Sequence, residues 1–585
     1  MRPTTSNSRP RTTGRISRLF VLRGVFLLIG VVFISRLFYV QVIRQQHYKD
    51  LARGEQFKQL EIEPERGTIY LQNGSSEPVV LTLNESRYTI FADPVFVKDV
   101  DASAQKLSGL LGMPSDEIKD KLSKDLRYVI IAKKVTKDVK KKIEESKIKG
   151  IAWKEERIRT YPQGQTASHI LGFVNDEGSG QYGVEGYLND ELSGTPGMIR
   201  AVTDVDGIPL VQNKDNIVKQ PVNGANVTLT VDQTMQRIVE DELKAGVERS
   251  KAKSGSVVIM EADTGRVKAM ANYPTYDPSA FSAVTDQNIF KNQAVSDPLE
   301  PGSIIKTLLV AAAIDKGVVN KDSTYLDTGV QTIDGVSVRN LTPLSPGTRS
   351  IFDILQYSLN TGAIYLLKEF GGGDITDQAR TTWFDYLTNH YQFDKDPMIE
   401  LDDAEKGVIP DPIEGDGRRV QYANMAFGQG LTMTIQQFAS ALSATVNGGT
   451  YYQPTIVYSK DVDGTLTINE PKSIKTDVLS SSASADLVSL MEQYESKRTP
   501  SASREGFVLG GKTGTAQVAG DDGKYREDVY NATFSGFLGR TKPKYVVVIR
   551  LNEGSATASF SGFESARPVF LGIANGIMDT IPFSE

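Results

Sequence analysis

Ser303-Ile304-Ile305-Lys306 is the tetrad with the clearest chemical content. It follows Glu300-Pro301-Gly302 and leads into the apolar run TLLVAAAID. Pro and Gly ahead of a Ser mark a helix start, and the run behind supplies a buried helix body. Residues at i and i+3 share one helix face, so the Lys306 side chain can reach the Ser303 hydroxyl. A serine hydroxyl is a poor nucleophile until a base takes its proton, and a desolvated lysine with a lowered pKa does that. Taken alone, S-x-x-K is a very weak pattern, and a Ser N-cap with an outward Lys is its commoner explanation.

Two further elements follow in order. Ser358-Leu359-Asn360 lies between IFDILQY and TGAIYLLKEF, at a break between helix-like stretches where short polar side chains can point into a cleft. Lys512-Thr513-Gly514-Thr515-Ala516-Gln517 is cationic, hydroxyl-rich and strand-like, with a glycine that lets a ligand approach the backbone. Each pattern is weak by itself, and the three in fixed order are specific. The last overlaps a decoy, because Gly506 to Thr513 satisfies the phosphate-cradling G-x-x-x-x-G-K-[ST]. That loop needs a buried strand before it and a helix opening at the Lys-Thr. Here polar KRTPSASRE precedes and glycine-rich TGTAQVAGDDG follows, so a P-loop is not expected.

The rare residues narrow the chemistry further. With Cys 0 there is no disulfide, thiolate metal site or cysteine nucleophile, and no metal or other cofactor is called for. Of the three histidines, His47, His169 and His390, none is committed to a chemical motif and His169 and His390 are expected to be structural, so the base of this chemistry is not expected to be histidine. A net charge of -6 lacks the broad basic footprint of a nucleic-acid binder.

The elements that must position these residues make up a chain of 585 residues, too long for one small domain. Residues 1–18 carry Arg2, Arg9, Arg11, Arg15 and Arg18 without an acid, a basic tail expected on the cytoplasmic side. Residues 19–43 then form an apolar run, and about 20 helical residues span the ~30 Å hydrocarbon core. The run continues into FYVQVIRQQHY with no small-residue cleavage site, so an uncleaved single transmembrane anchor is expected, with everything after it extracytoplasmic. Arg23 can snorkel to the interface, whereas Arg36 must snorkel outward or face a partner helix. Residues 44–221 mix short alternating runs with the charged helix-like TKDVKKKIEESKIKG and read as a small α+β module. Lys214 to Ala225 is a polar, breaker-rich linker, and a second globular domain is expected over 222–585, opening with the strand NVTLTVD and the amphipathic helix DQTMQRIVEDELKAGVERS.

Ser303-x-x-Lys306, Ser358-x-Asn360 and Lys512-Thr513-Gly514, after an N-terminal anchor, resemble a class B penicillin-binding protein. The resemblance extends to Tyr273-Pro274-Thr275-Tyr276-Asp277-Pro278, to Glu300-Pro301-Gly302 and to Phe427-Gly428-Gln429-Gly430 with the helix-like MTIQQFASALSATVNGG after it. In the amino-terminal module, Arg66-Gly67-x-Ile69 with Asn73-Gly74, Arg159-x-Tyr161-Pro162 and Gly183-Val184-Glu185-Gly186 resemble the family's pedestal, or dimerisation, domain. Nearly the whole chain is covered.

The resemblance implies a multidomain α+β fold: an anchor, a pedestal, and a β-lactamase-like serine transpeptidase domain with an antiparallel sheet and a helical subdomain. It implies a D,D-transpeptidase that cross-links peptidoglycan stem peptides through a Ser303 acyl-enzyme, releases D-alanine and binds β-lactams. Lys306 would be the base, and Ser358 and Asn360 would relay a proton and hold the substrate amide. Lys512, Thr513 and Thr515, with Gly514 between them, would bind the terminal carboxylate, and the oxyanion would sit between the N–H groups of Ser303 and Thr515. A non-catalytic β-lactam sensor or scaffold acting on a membrane partner is the alternative, and a β-lactamase-like hydrolase is disfavoured by the anchor and pedestal.

By resemblance, the partner is a polytopic membrane glycosyltransferase, with Arg36 a candidate contact, and Ser168 to Asn175 tilts the role toward septal rather than elongation synthesis. Two departures stand out. Leu71-Gln72 replaces the Asp-Arg that usually precedes Asn-Gly, which bears on a pedestal ion pair and not on the chemistry. The stretch 371–419 does not align with the family and is expected to be a surface or loop.

Overall fold

The computed structural model describes residues 18–49, 57–202, 217–341, 344–498, 504–519, 525–555 and 560–583. Residues 1–17 of the expected basic tail and 214–216 of the expected linker lie outside the described residues. The chain divides into two compact units, one of residues 1–64 with 195–222 and one of 65–194 with 223–585.

In the first unit, the helix Arg18–Phe38 continues through a wider turn to Ile43, and the whole is long and apolar enough to cross a membrane. Its large side chains, Phe20, Phe26, Phe33 and Ile34 among them, are exposed, which in water would be costly and in lipid is not. The same unit holds an antiparallel sheet of Phe57–Ile62, Gly197–Val202 and Ile217–Lys219.

In the second unit, the hairpin Ile69–Asn73 and Ser76–Ala92 turns at Gly74, whose φ of +56° suits glycine. The long strand also pairs with Val129–Val135 and Ile151–Thr160, and the charged stretch forms the helix Lys137–Glu145, with Thr136 capping it through Val139 N. Ile69–Asn73 runs parallel to Asn226–Asp232, so residues on both sides of position 222 share one sheet. Next come the helix α1 (Gln233–Ser250) and a five-stranded antiparallel sheet of β1 (Ser254–Glu261), β2 (Val267–Tyr273), β3 (Val508–Ala519), β4 (Tyr525–Gly539) and β5 (Pro543–Ser555), in the order β2-β1-β5-β4-β3.

Strand side chains alternate between faces, and β1 shows what each face meets. Val257 and Ile259 pack with Val239 and Leu243 of α1 and with Phe570 and Ile573 of the C-terminal helix Arg567–Thr580. Val258 and Met260 face the larger core, which is built from helices. These are α2 (Ile305–Asp315), α3 (Asn360–Glu369), α4 (Ile435–Val446) and α5 (Ser481–Arg498). A strand buried on both faces is apolar almost throughout, as SVVIM is. Helix α2 is buried from Ile305 to Ala313, the expected position for a helix apolar on every side. Helix α4 starts at a capping box in which Thr434 and Gln437 each satisfy the other's backbone N–H.

The stretch 371–419 departs from the expectation of a surface or loop. It contains the helix Asp377–Asp385 and the start of the helix Arg418–Met425, and it puts Trp383, Tyr391 and Phe393 into the core without exposure. His169 and His390 are held by backbone carbonyls, His169 Nε2 to Ile289 O at 2.9 Å and His390 Nδ1 to Val478 O at 2.7 Å. Burial pulls the His169 pKa down to about 4, so that ring is neutral at physiological pH.

Candidate active site

The three motifs arrive from three different elements. Ser303 sits in the single tight turn Gly302–Ile304 that opens α2, so its side chain lies at the helix mouth and Lys306 lies one turn inside. Gly302 has φ +61°, and a Cβ there would come within 2.9 Å of Thr515 O, so glycine is what allows the serine turn to touch β3. Ser358 lies between the helix Ile351–Gln356 and α3, with φ +56°, a left-handed conformation uncommon for serine that turns its hydroxyl inward. Asn360 is the first residue of α3.

Lys512 to Thr515 lie mid-strand in β3, Lys512 opposite Ser535 and Thr515 opposite Ala532 of β4. No helix opens at Lys512-Thr513, so the phosphate-loop pattern is a coincidence of composition. Among the described residues, strand β3 is the edge of its sheet, the kind of position at which an extended peptide can add. A Cβ on Gly514 would lie 2.2 Å from Thr533 Oγ1 and 3.0 Å from Pro301 O, so only glycine fits under the serine turn.

Around Lys306 the side chains meet at hydrogen-bond distance. Its Nζ lies 3.0 Å from Ser303 Oγ, 2.8 Å from Ser358 O, 3.3 Å from Ser358 Oγ and 2.8 Å from Asn360 Oδ1. The Ser358 carbonyl and the Asn360 amide oxygen can only accept, so they take two N–H bonds. In a neutral amine that leaves one lone pair, and the hydroxyls of Ser303 and Ser358 are the groups able to donate to it. Lys306 is 0% exposed and makes no ion pair among the described residues. Burial, reinforced by the charge of Lys512, drives its pKa well below the ordinary lysine value, which favours the neutral amine.

Lys512 is itself 1% exposed, with Nζ 3.2 Å from Ser358 Oγ and 2.7 Å from Thr513 O. Its pKa is pulled down to about 7, by burial first and by Arg498 second, against the opposing charge of Glu495. Ser358 Oγ therefore stands between two lysine nitrogens, a position from which a hydroxyl can pass a proton. Asn360 is oriented by its other amide end, where Nδ2 donates to Arg339 O at 3.1 Å.

Every expected site residue is thus brought to one place: Ser303, Lys306, Ser358, Asn360 and Lys512 touch in sequence, with Thr513, Gly514 and Thr515 along the adjoining strand. Sequence reasoning missed the residues of α5 behind that strand. Tyr494 Oη shares a 2.9 Å hydrogen bond with Thr513 Oγ1, and Glu495 makes a buried ion pair with Arg567 at 2.6 Å. Arg498 stacks on the Tyr494 ring at 4.8 Å and donates to Gln356 O. No spacing rule links them to Lys512, and their only signal is a helix-compatible run ending shortly before it.

Comparison with known proteins agrees with this geometry. The family profile of the penicillin binding protein transpeptidase domain matches residues 255–578, and that of the penicillin-binding protein dimerisation domain matches residues 61–229. The Stage V sporulation protein D of Bacillus subtilis is 30% identical over 580 residues, covering 97% of this chain and 86% of that protein. The peptidoglycan D,D-transpeptidase FtsI of Escherichia coli is 27% identical, covering 96% of this chain and 92% of that one. Among solved structures, penicillin binding protein 2X of Streptococcus thermophilus superposes with a TM-score of 0.72 at 23% identity, over 89% of this chain and 80% of its own, a likeness of fold. With both domain profiles matched in order across most of its length, the chain belongs to the class B penicillin-binding proteins.

Proposed function

We propose that this protein is a serine-type peptidoglycan D,D-transpeptidase that cross-links stem peptides and is acylated by β-lactams. The observation that carries the reading is the Lys306 nitrogen, shut away from water with its two N–H bonds accounted for and its lone pair left for the Ser303 hydroxyl 3.0 Å away.

Ser303 Oγ attacks the carbonyl carbon between the two terminal D-alanines while its proton passes to Lys306 Nζ. The oxyanion forms between the backbone N–H groups of Ser303 and Thr515, each such donor being worth about 3 kcal/mol. The proton then moves from Lys306 through Ser358 Oγ to the leaving nitrogen, the C–N bond breaks and D-alanine departs. Asn360 holds the substrate amide, while Lys512, Thr513 and Thr515 hold the terminal carboxylate of the donor. In the second half, an amine of a neighbouring stem attacks the acyl carbon, gives its proton back along the same path and releases Ser303. A β-lactam enters by the same attack, its ring nitrogen being the leaving group.

The anchor reading gives residues 1–18 to a cytoplasmic tail, 19–43 to the membrane, 44–221 to an extracytoplasmic pedestal and 222–585 to the transpeptidase domain. The basic residues before the apolar run support this orientation. A polytopic membrane glycosyltransferase that supplies glycan is the proposed partner, with Arg36 facing it, and the Ser168 to Asn175 segment supports a septal role. Fluorescence localisation at mid-cell agrees with that role, and localisation along the side wall contradicts it.

The test of function uses the purified full chain, a D-Ala-D-Ala thioester analogue and a D-amino-acid acceptor. Acceptor-dependent product is expected, and it is lost in Ser303→Ala. A protein that is acylated by labelled penicillin but never forms the product is a sensor, and the transpeptidase reading fails.

A further inference from the structure

Helix α5 contains none of the three motifs, yet its last residues reach one of them, Lys512-Thr513, and the helix end just before another. Tyr494, 0% exposed, places its hydroxyl 2.9 Å from Thr513 Oγ1. Its ring faces Lys512 Nζ at 5.4 Å from the centroid and the Arg498 guanidinium at 4.8 Å. Arg498 in turn lies 5.1 Å from the Phe563 ring and donates to Gln356 O, the carbonyl that ends the helix two residues before Ser358. The pair therefore spans from the Ser358 turn to the middle of β3.

We propose that Tyr494 is a positioning residue for carboxylate capture: its hydroxyl fixes the rotamer of the Thr513 hydroxyl, and Arg498 clamps its ring. A threonine hydroxyl has one proton and rotates freely, so a neighbour that donates to its oxygen leaves that proton directed at a ligand oxygen. A protonated phenol supplies that donor, and burial raises the Tyr494 pKa, which keeps the phenol protonated through neutral pH. The aromatic face also holds the two cations without neutralising them, unlike a carboxylate, so Lys512 stays available to the ligand anion. Tyr494 thus acts through its neighbours, its hydroxyl through Thr513 and its ring through Lys512.

The inference rests on the transpeptidase reading of the same site, and one experiment separates the two. The full-length protein, its Tyr494→Phe variant and its Ser303→Ala variant are each treated with benzylpenicillin and with benzylpenicillin methyl ester, and second-order acylation rates are measured. Tyr494→Phe keeps the ring and both cation contacts. The acid is expected to acylate this variant about tenfold more slowly while the ester rate is unchanged, the loss lying in binding before acylation. Equal slowing of acid and ester would reveal a merely structural role and overturn the inference, as would an unchanged acid rate. Retained acylation of Ser303→Ala would instead overturn the site reading. In the clamp arm, Arg498→Ala is expected to slow the acid about as much, and Arg498→Lys, which can still reach the Gln356 carbonyl, to restore part of the rate. A Lys variant no better than Ala removes Arg498 from the proposal.

Discussion

Two groups of buried charges sit in this protein and behave in opposite ways. Glu185, 0% exposed, has both carboxylate oxygens taken, Oε2 by Arg66 at 2.5 Å and Oε1 by Arg159 at 2.7 Å. Arg66 also donates to Asn189 and Ser193, and Arg159 to Asn84, which donates back to Arg66 O. Lys306 and Lys512 are buried as deeply, but the carbonyls, amide and hydroxyls at their side-chain nitrogens carry no formal charge. A buried charge that meets its counter-charge is a staple with no proton to give. A buried lysine denied one holds its proton weakly: Lys306 gives it up and becomes a base, while Lys512, pulled down to about 7, keeps its proton when an anionic ligand supplies the counter-charge.

Substitutions at the two groups should therefore fail in different ways. The largest effect is expected at Lys306: Lys306→Ala should slow acylation by labelled penicillin about a thousandfold while its thermal melting stays cooperative. Next, Glu185→Gln leaves two arginines short of a buried counter-charge and should cost about 3 to 5 kcal/mol of stability by denaturant titration, while the acylation rate of the folded fraction stays close to that of the parent. If Glu185→Gln abolished acylation in protein that melts normally, the division into staple and reagent would be wrong.

A smaller effect concerns pH. Between about pH 7 and the ordinary lysine value of 10.5, the unfolded chain keeps the Lys512 proton and the native state has released it. The unfolded state then binds more protons, so stability rises with pH across that window, and Lys306 contributes in the same direction. Lys512→Met should remove part of this rise, read from denaturation midpoints at several pH values. A slope identical to the parent's would mean that Lys512 is charged in the native state.

How much of this could be read in the sequence differs between the same two groups. Ser303 and Lys306 are one helix turn apart, and helical geometry alone joins them. Ser358 and Lys512 required the order of motifs, because 154 positions separate them and only the fold closes that gap. The motifs around Arg66, Arg159 and Glu185 were visible as a resemblance, but their convergence on one carboxylate across 119 and 26 positions was not.

The departure at Leu71-Gln72 has a local answer. Leu71 is fully buried, and Gln72 accepts a 2.7 Å hydrogen bond from Lys268, so a neutral contact stands at that point while the ion-pair network lies at Glu185. The stretch 371–419 misled because Asp377, Gln378, Arg380 and Thr381 interrupt its apolar pattern, although Arg380 is itself buried and bonded to Pro412 O. Tyr494 and Arg498 left no legible sign, since positioning from behind a strand imposes no spacing on the chain.

The central claim is that Ser303 is the nucleophile and the neutral Lys306 its base. It is tested most directly by intact-mass and peptide-mapping measurements on the full chain after a short exposure to benzylpenicillin. The account predicts one added penicillin, located on the peptide that carries Ser303, with none on Ser303→Ala and almost none on Lys306→Ala over the same time. An adduct on another residue, or parent-like acylation of the Lys306 variant, would contradict it.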